Sequence, residues 1–296
     1  MKPTITIGVP FYNCENTLAS AVRSIFAQSF QDWELILLDD GSTDRSLDIA
    51  RSIRDVRVSV FSDGVNKGIG ARRKEIVERA AGEYVAWQDA DDLMHPDRLS
   101  IELDFLEHHP AVSVVDTLSY RFDETNHVLG VNPAPTEPFT PAFAVKRCLL
   151  LNGSTLARRQ MYVDNPFDPS LRRSEDWDVF RRAIQTCAFD RISKPLYFRR
   201  HFEYDKRMLL HKELINVPFE LKMIWRHGPG QFGSWGAFIM IGKRFPRYIA
   251  RTVCTVLGLR QFVPGARLLE LSDSEMDTAK HAVQLIMETK IPGLDA

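Results

Sequence analysis

The sequence predicts an α/β fold with a Rossmann-like, mixed and mainly parallel sheet flanked by helices. From Thr4 to about His109, short apolar runs alternate with segments of helical periodicity, which is typical of βαβ units. The run from Leu35 to Leu38 is continuously apolar, as expected of a strand covered on both faces. Polar clusters follow three predicted strands, at the edge where open parallel sheets bind ligands.

The elements of the first half follow from these patterns in order. The predicted strands are residues 4–9, 34–39, 56–62 and 84–88. Between the first two, Leu18, Val22, Ile25 and Phe26 recur at helical spacing and should pack on the sheet. Further helices are expected at residues 69–80 and 96–108.

A proline-rich stretch, residues 126–141, marks a soft boundary, and a helix is expected after it at residues 142–151. An acidic segment at 174–178 should open another helix, and residues 196–200 resemble a strand. We therefore expect one domain over residues 1–205, with halves 1–110 and 111–205, and a helical C-terminal appendage over 206–296.

Composition is that of a folded protein, with 44% hydrophobic and 26% charged residues in 296. The formal net charge of -1 does not favour a nucleic-acid partner. Four scattered cysteines indicate neither a disulfide framework nor a zinc site. Neither a signal peptide nor a transmembrane helix is expected, so the prediction is a cytoplasmic protein.

Two strand ends carry carboxylates. Tyr84 to Gln88 runs directly into Asp89, Asp91 and Asp92, whose mutual repulsion a divalent cation would relieve. Oxygen ligands of this kind suit Mg²⁺ or Mn²⁺, although an acidic helix-capping loop would look the same. Asp40 ends another strand and could accept the imide N–H of a uracil ring, or simply belong to a turn that caps a helix.

Six short motifs occur along the chain, and their order and spacing are informative together. They are residues 8–13 (GVPFYN), 24–30 (SIFAQSF), 39–44 (DDGSTD), 66–68 (NKG), 81–84 (AGEY) and 89–92 (DADD). Over about residues 4–205 the chain resembles the family 2 glycosyltransferases. The resemblance implies the GT-A fold, with a nucleotide-binding half (1–110), an acceptor-side half (111–205) and transfer of sugar from a UDP-sugar or related nucleotide sugar.

The resemblance also implies roles for individual residues. Pro10, Tyr12 and Asp40 would surround the nucleobase, Asn66 and Arg73 would contact base or phosphates, and Asp89 would lie near the ribose. Asp91 would hold Mn²⁺ or Mg²⁺ as part of the family's D-x-D motif, and His201 would approach the metal or the diphosphate. Lys74 stands where the family often has asparagine, which leaves the donor contacts at that turn open.

Asp176 corresponds to the family's general base, the carboxylate that takes a proton from the acceptor hydroxyl. One base opposite the leaving group gives in-line displacement and inversion, by analogy with glycoside hydrolysis. Glu175 and Asp176 could instead only favour a helix N-terminus, and His201 could be a surface residue of a basic strand. A catalytically silent nucleotide- or glycan-binding protein on the same fold is the alternative function.

The acceptor is expected to be a glycan or a lipid-linked molecule of bacterial surface-polysaccharide assembly. Arg244, Arg247 and Arg251 recur on one side of a potential helix, with apolar residues on another side. Such a helix could contact the inner face of a membrane peripherally, or pack on the catalytic domain with its arginines in solvent.

Overall fold

The computed structural model describes residues 2–133, 138–146, 148–202, 206–257 and 268–295. Its centre is a nine-stranded mixed sheet in the order β3-β2-β1-β4-β8-β6-β9-β5, with β7 paired to β6. The strands are β1 (Ile5–Phe11), β2 (Trp33–Asp39), β3 (Val58–Phe61), β4 (Tyr84–Trp87), β5 (Leu93–Met94), β6 (Val112–Phe122), β7 (Val128–Val131), β8 (Leu156–Arg158) and β9 (Ala188–Arg200). The predicted fold class is confirmed.

The first four strands of that order run parallel. β2 is buried almost throughout, as its continuous apolar run predicts. β8 then pairs antiparallel with both β4 and β6, whereas β6 and β9 run parallel along nearly their whole length. The carboxyl ends of β1 and β4 therefore face the same edge as the loops that enter β8 and follow β6.

Helices cover both faces of the sheet. They are α1 (Leu18–Phe26), α2 (Ser46–Ser52), α3 (Ile69–Arg79), α4 (Arg98–His108), α5 (Pro141–Ala144), α6 (Arg159–Asp164), α7 (Glu175–Ala183), α8 (Lys206–Leu257) and α9 (Asp273–Glu288). One apolar cluster joins β1 and β2 to α1 and α4. A second cluster, on the other face, joins β4 to α3, α6 and α7.

The prediction of a helix over residues 142–151 is wrong in extent. The helix spans only Pro141–Ala144, and residue 147 lies outside the described residues. Leu149 and Leu150 are buried in the second apolar cluster, so their hydrophobicity reflects a buried loop. The Leu151 amide donates to Asp116 Oδ2 at 3.2 Å, and a 3₁₀ turn follows at Asn152–Ser154.

The C-terminal region has two parts. α8 is interrupted at Gly233, where φ is 71° and ψ is 164°. α9 packs on α1 and β7 through a third apolar cluster that includes Val283 and Ile286. Within the described residues, no helix is long and apolar enough to cross a membrane. The side chains of Arg244, Arg247 and Arg251, on which the basic-helix hypothesis rests, lie outside what the structure describes.

Candidate active site

A cavity of about 1050 Å³ opens at the carboxyl ends of β1 and β4. Its wall consists of the loop after β1, the acidic loop after β4, the turn before β8 and the start of α7, together with Arg199 from β9. Parallel strands end together at this edge, and α3 reaches it from one face of the sheet. The cavity thus joins both halves of the chain.

A buried arginine side chain lines this cavity. Arg73 of α3 forms an ion pair with Glu175, and both side chains are 5% exposed. The second terminal nitrogen of Arg73, Nη2, donates to Asp89 Oδ1 at 3.3 Å. The Asn152 amide oxygen, in the orientation that satisfies its hydrogen bonds, accepts from both terminal nitrogens at 3.1 Å. Arg73 therefore ties α3 to the acidic loop, the turn before β8 and α7.

Asp176, the predicted general base, follows Glu175 at the start of α7 and lines the cavity. Burial raises the pKa of its carboxyl, and the charge of Arg73 opposes that rise. The Trp177 amide donates to Asp176 Oδ1 at 2.7 Å, which fixes the carboxylate at the helix start. Ser174, which directly precedes α7, has a φ of 59°, a left-handed conformation that non-glycine residues rarely adopt.

The three carboxylates after β4 occupy different environments. Asp89 and Asp91 line the cavity. Asp92 is buried and accepts a hydrogen bond from the Arg200 amide at 2.7 Å. Burial and then the charge of Asp89 raise the pKa of Asp91, while burial and then the charge of Asp91 raise the pKa of Asp92 well above its usual range. Asp92 therefore orders the loop, and Asp91 faces the cavity.

These residues fit a divalent cation of the kind that takes few protein ligands. Within the described residues, no group of three or more His, Cys, Asp or Glu side chains is placed to hold a metal ion by itself. Mg²⁺ usually binds through one or two carboxylates and completes its shell with substrate phosphates and water. The cavity wall offers Asp91 with Asp89 as its neighbour. Burial, and after it the charge of Asp89, raises the pKa of Asp91, and a bound cation would offset that negative charge.

The loop after β1 forms another part of the cavity wall. Pro10 and Tyr12, both predicted to surround the nucleobase, line the cavity. Asn13 of this loop has a φ of 48°. Its side-chain oxygen accepts from the Thr43 amide at 2.8 Å, which connects the loop to the one after β2. An exposed aromatic ring and a rigid proline at a cavity wall suit the face of a planar base.

Asp40 and Asn66, also predicted to contact the nucleotide, are not among the residues that line the cavity. Asp40 is buried, and its Oδ1 accepts from the Lys67 amide at 2.8 Å and from Arg72 Nε at 2.9 Å. Asn66 Oδ1 accepts from Arg172 Nη1 at 3.0 Å. In this structure Asp40 orders the loop before α3, and Asn66 bridges that loop to the loop before α7. Their contacts with a nucleotide stay predictions.

His201, the predicted second metal ligand, directly follows β9. Its side chain is exposed, and its backbone amide donates to the Phe122 carbonyl at 2.7 Å. His201 does not line the cavity, whereas its neighbours Arg199 and Phe202 do. Its role as a metal ligand stays a prediction.

Comparison with known proteins identifies the family. Residues 6–162 match the sequence pattern of the family described as Glycosyl transferase family 2. The chain belongs to this family. Among its relatives is EpsE of Bacillus subtilis (strain 168), whose name places it with the glycosyltransferases. EpsE is 36% identical over 189 residues, which cover 62% of this chain and 67% of EpsE.

Solved structures support the fold of this family 2 glycosyltransferase. S. aureus TarS 1-349 in complex with UDP superposes with a TM-score of 0.59 at 18% identity, covering 97% of this chain and 80% of that one. The mannosyltransferase PcManGT of Pyrobaculum calidifontis, in complex with GDP-Man and Mn²⁺, gives 0.58 at 14% identity, covering 97% and 86%. Both superpositions show that this chain shares its fold with these two glycosyltransferases.

In this family 2 glycosyltransferase, sequence reasoning missed several cavity residues. A Cβ on Gly153 would contact the Tyr197 hydroxyl and lie 2.8 Å from Asp89 Oδ2, so only glycine fits beside the acidic loop. The Asn-Gly pair at 152–153 signalled a turn but not its place in the site. The other missed residues of the cavity wall lie outside the six motifs and include Cys14, Asn16, Thr17, Ile69, Cys148, Leu151, Arg172, Arg173, Arg199 and Phe202.

Proposed function

We propose that this glycosyltransferase moves a sugar from a nucleotide-diphosphate donor, a UDP-sugar, to a hydroxyl of a glycan or lipid-linked acceptor, with inversion at the sugar carbon. The observation that carries the proposal is one shared cavity. Asp91 from the loop after β4 and Asp176 from the start of α7 both line it, although 85 positions separate them in the chain. A transferase of this kind needs a cation-binding carboxylate and a general base beside the same sugar, the roles we assign to Asp91 and Asp176.

The donor side of the cavity would be the wall next to β1. Pro10 and Tyr12 offer an apolar surface for the nucleobase, and Asp89, which lines the same cavity, would contact the ribose. TarS has been solved with UDP and with UDP-GlcNAc, and PcManGT with GDP-Man, which supports a nucleotide sugar as donor. The predicted contact between Asp40 and a uracil imide favours UDP, and it requires Asp40 to exchange bonds with the Lys67 amide and Arg72 for a bond to the base.

Asp91 would hold Mn²⁺ or Mg²⁺, and the bound ion would supply Lewis-acid stabilisation of the charge that develops on the departing diphosphate. The Mn²⁺ in the PcManGT complex supports this assignment. Arg199 brings a further positive charge to the same wall. That charge lowers the pKa of Asp91 and so opposes the effect of burial. Arg73 holds Asp89 and Glu175 in place, because it is ion-paired with both.

Asp176 would act as the general base. A carboxylate whose pKa is raised accepts a proton more readily than an ordinary aspartate. Burial raises the pKa of Asp176, and the charge of Arg73 opposes that rise and so favours the ionised form that a base needs. Deprotonation of the acceptor hydroxyl by Asp176, on the side away from the diphosphate, leads to a single displacement and therefore to inversion.

The proposal is tested by incubating the protein with UDP-glucose, UDP-GlcNAc or GDP-mannose and Mn²⁺, and measuring both thermal stabilisation and nucleoside diphosphate release. The true donor should stabilise the folded protein by mass action, by about 2.7 kcal/mol at a hundredfold excess over its Kd. Release should also be faster with that donor than with the others.

Asp176→Asn separates catalysis from binding. It should retain donor stabilisation but lose release, whereas Asp104→Asn on the exposed face of α4 should change neither. A silent binding protein would show donor stabilisation without release in the unsubstituted chain. If none of the donors stabilises the protein or is turned over, the proposed function is wrong.

A further inference from the structure

We propose that the second arm of α8, residues 234–257, is a membrane-binding element that inserts aromatic side chains into an anionic lipid surface. α8 reverses direction at Gly233, whose φ of 71° is in the left-handed region. A Cβ on Gly228 would lie 2.9 Å from the Ala237 Cβ, so the arms on either side of Gly233 contact each other. The helix is thus a hairpin with its turn at Gly233.

The first arm of the hairpin is fixed to the catalytic body. Arg226 Nη1 lies 2.7 Å from Asp168 Oδ2, and His227 Nε2 lies 2.7 Å from Asp178 Oδ1. Arg181 of α7 donates to the Met223 carbonyl at 2.6 Å. Because α7 also carries Asp176, the hairpin is held on the same helix as the proposed base.

The second arm exposes large apolar side chains. Trp235 is 73% exposed, Phe238 59% and Ile239 40%. We call these three residues the apolar tip. The rings of Trp235 and Phe238 stack with their centroids 5.6 Å apart, so they form one surface. Soluble proteins seldom leave adjacent aromatic rings this open to water unless a partner covers them.

The charge of the surrounding sequence selects the partner. No Asp or Glu occurs between Glu220 and Glu270. Besides Arg226, which is ion-paired with Asp168, seven Lys and Arg residues occur there: Lys222, Lys243, Arg244, Arg247, Arg251, Arg260 and Arg267. A second copy of the same basic segment would be repelled, while anionic lipid headgroups would be attracted. Tryptophan prefers the boundary between headgroups and acyl chains. An aromatic tip within a basic segment therefore fits an anionic bilayer surface.

Such contact would bring the cavity to a lipid surface, where a lipid-linked acceptor is found. That consequence rests on the proposed function. The membrane contact itself does not, because binding to vesicles requires no turnover.

The test is co-sedimentation of the full chain with vesicles of phosphatidylcholine, alone or mixed with phosphatidylglycerol. We expect binding to the mixed vesicles that weakens as salt is added, and little binding to phosphatidylcholine alone. The double variant Trp235→Ser/Phe238→Ser should reduce partitioning at least about tenfold, because two aromatic side chains no longer leave water. Leu285→Ser, which removes an exposed apolar side chain from α9, is the matched control and should bind like the parent.

Circular dichroism of each variant establishes that it is folded before binding is compared. The inference is overturned if the folded double variant binds as the parent does, or if the parent binds neither vesicle. It is also overturned if light scattering shows a dimer that the double variant converts to monomer, since the apolar tip would then be covered by a second copy.

Discussion

Replacing Arg73 by methionine should destabilise the fold by about 3–5 kcal/mol, the usual cost of removing one partner from a buried ion pair. Arg73 and Glu175 are each 5% exposed, so in the variant the carboxylate is left in the protein interior without its cation. Methionine keeps the length and apolar body of the side chain, which confines the change largely to charge and hydrogen bonding. Total stabilities are about 5–15 kcal/mol, so the effect should be large.

Urea denaturation followed by circular dichroism measures this change in the free energy of unfolding. Lys74→Met is the matched control, because Lys74 is the next residue of the same helix and makes an exposed i,i+4 pair with Glu78 at 3.3 Å. Loss of an exposed pair should cost less than about 1 kcal/mol. If both variants lose the same stability, Arg73 is not the centre of the buried network described here.

The same variant has a pH signature. Burial already raises the pKa of Glu175, and the charge of Arg73 opposes that rise. Without Arg73 the folded-state pKa rises further, so the folded protein holds a proton that the unfolded chain releases. Stability should therefore fall as pH increases from the ordinary pKa of 4.5 through the raised value, and the penalty should be smaller in acid. A penalty that does not vary with pH would contradict this account.

Three further predictions concern other parts of the site. Asp176→Asn should lower nucleoside diphosphate release about 10²–10⁴-fold, and release by the parent should fall as pH drops through the raised pKa of Asp176; an unchanged rate would exclude it as base. Gly153→Ala would place a Cβ 2.8 Å from Asp89 Oδ2 and should cost about 1–3 kcal/mol by urea denaturation, whereas Gly230→Ala, with open space around it, should not destabilise. Arg98→Met removes a buried cation that donates to three main-chain carbonyls, and thermal denaturation should show a loss on the order of 3–5 kcal/mol; a loss below about 1 kcal/mol would argue against that bonding.

The first half of the fold could be predicted because its signals are local. Each strand of the parallel part is a short apolar run, and each covering helix shows its own periodicity. The observed bounds of α3, Ile69–Arg79, differ by one residue from those predicted. The second half depends on pairing between distant segments. β6 and β9 are long partners with several register shifts, a feature that no local pattern contains.

Part of the cavity wall was predictable from motif residues, whose roles stay predictions. Pro10, Tyr12, Asp89, Asp91 and Asp176 all line the cavity, together with Arg73. Asp40 shows the limit of such reasoning. A carboxylate at a strand end satisfies either a ligand or the backbone of the next loop, and here it accepts from two loop amides and an arginine. Sequence alone does not choose between these partners, because the choice depends on how the loops fold together.

The most direct measurement is calorimetric binding of UDP to the unsubstituted chain and to Asp91→Asn, each with Mn²⁺ and with EDTA. The central claim is that Asp91 contributes to a cation site beside the diphosphate. We expect tight binding only for the unsubstituted chain with Mn²⁺, and weaker binding of similar strength in the other three conditions. Equal affinity in all four would contradict the claim.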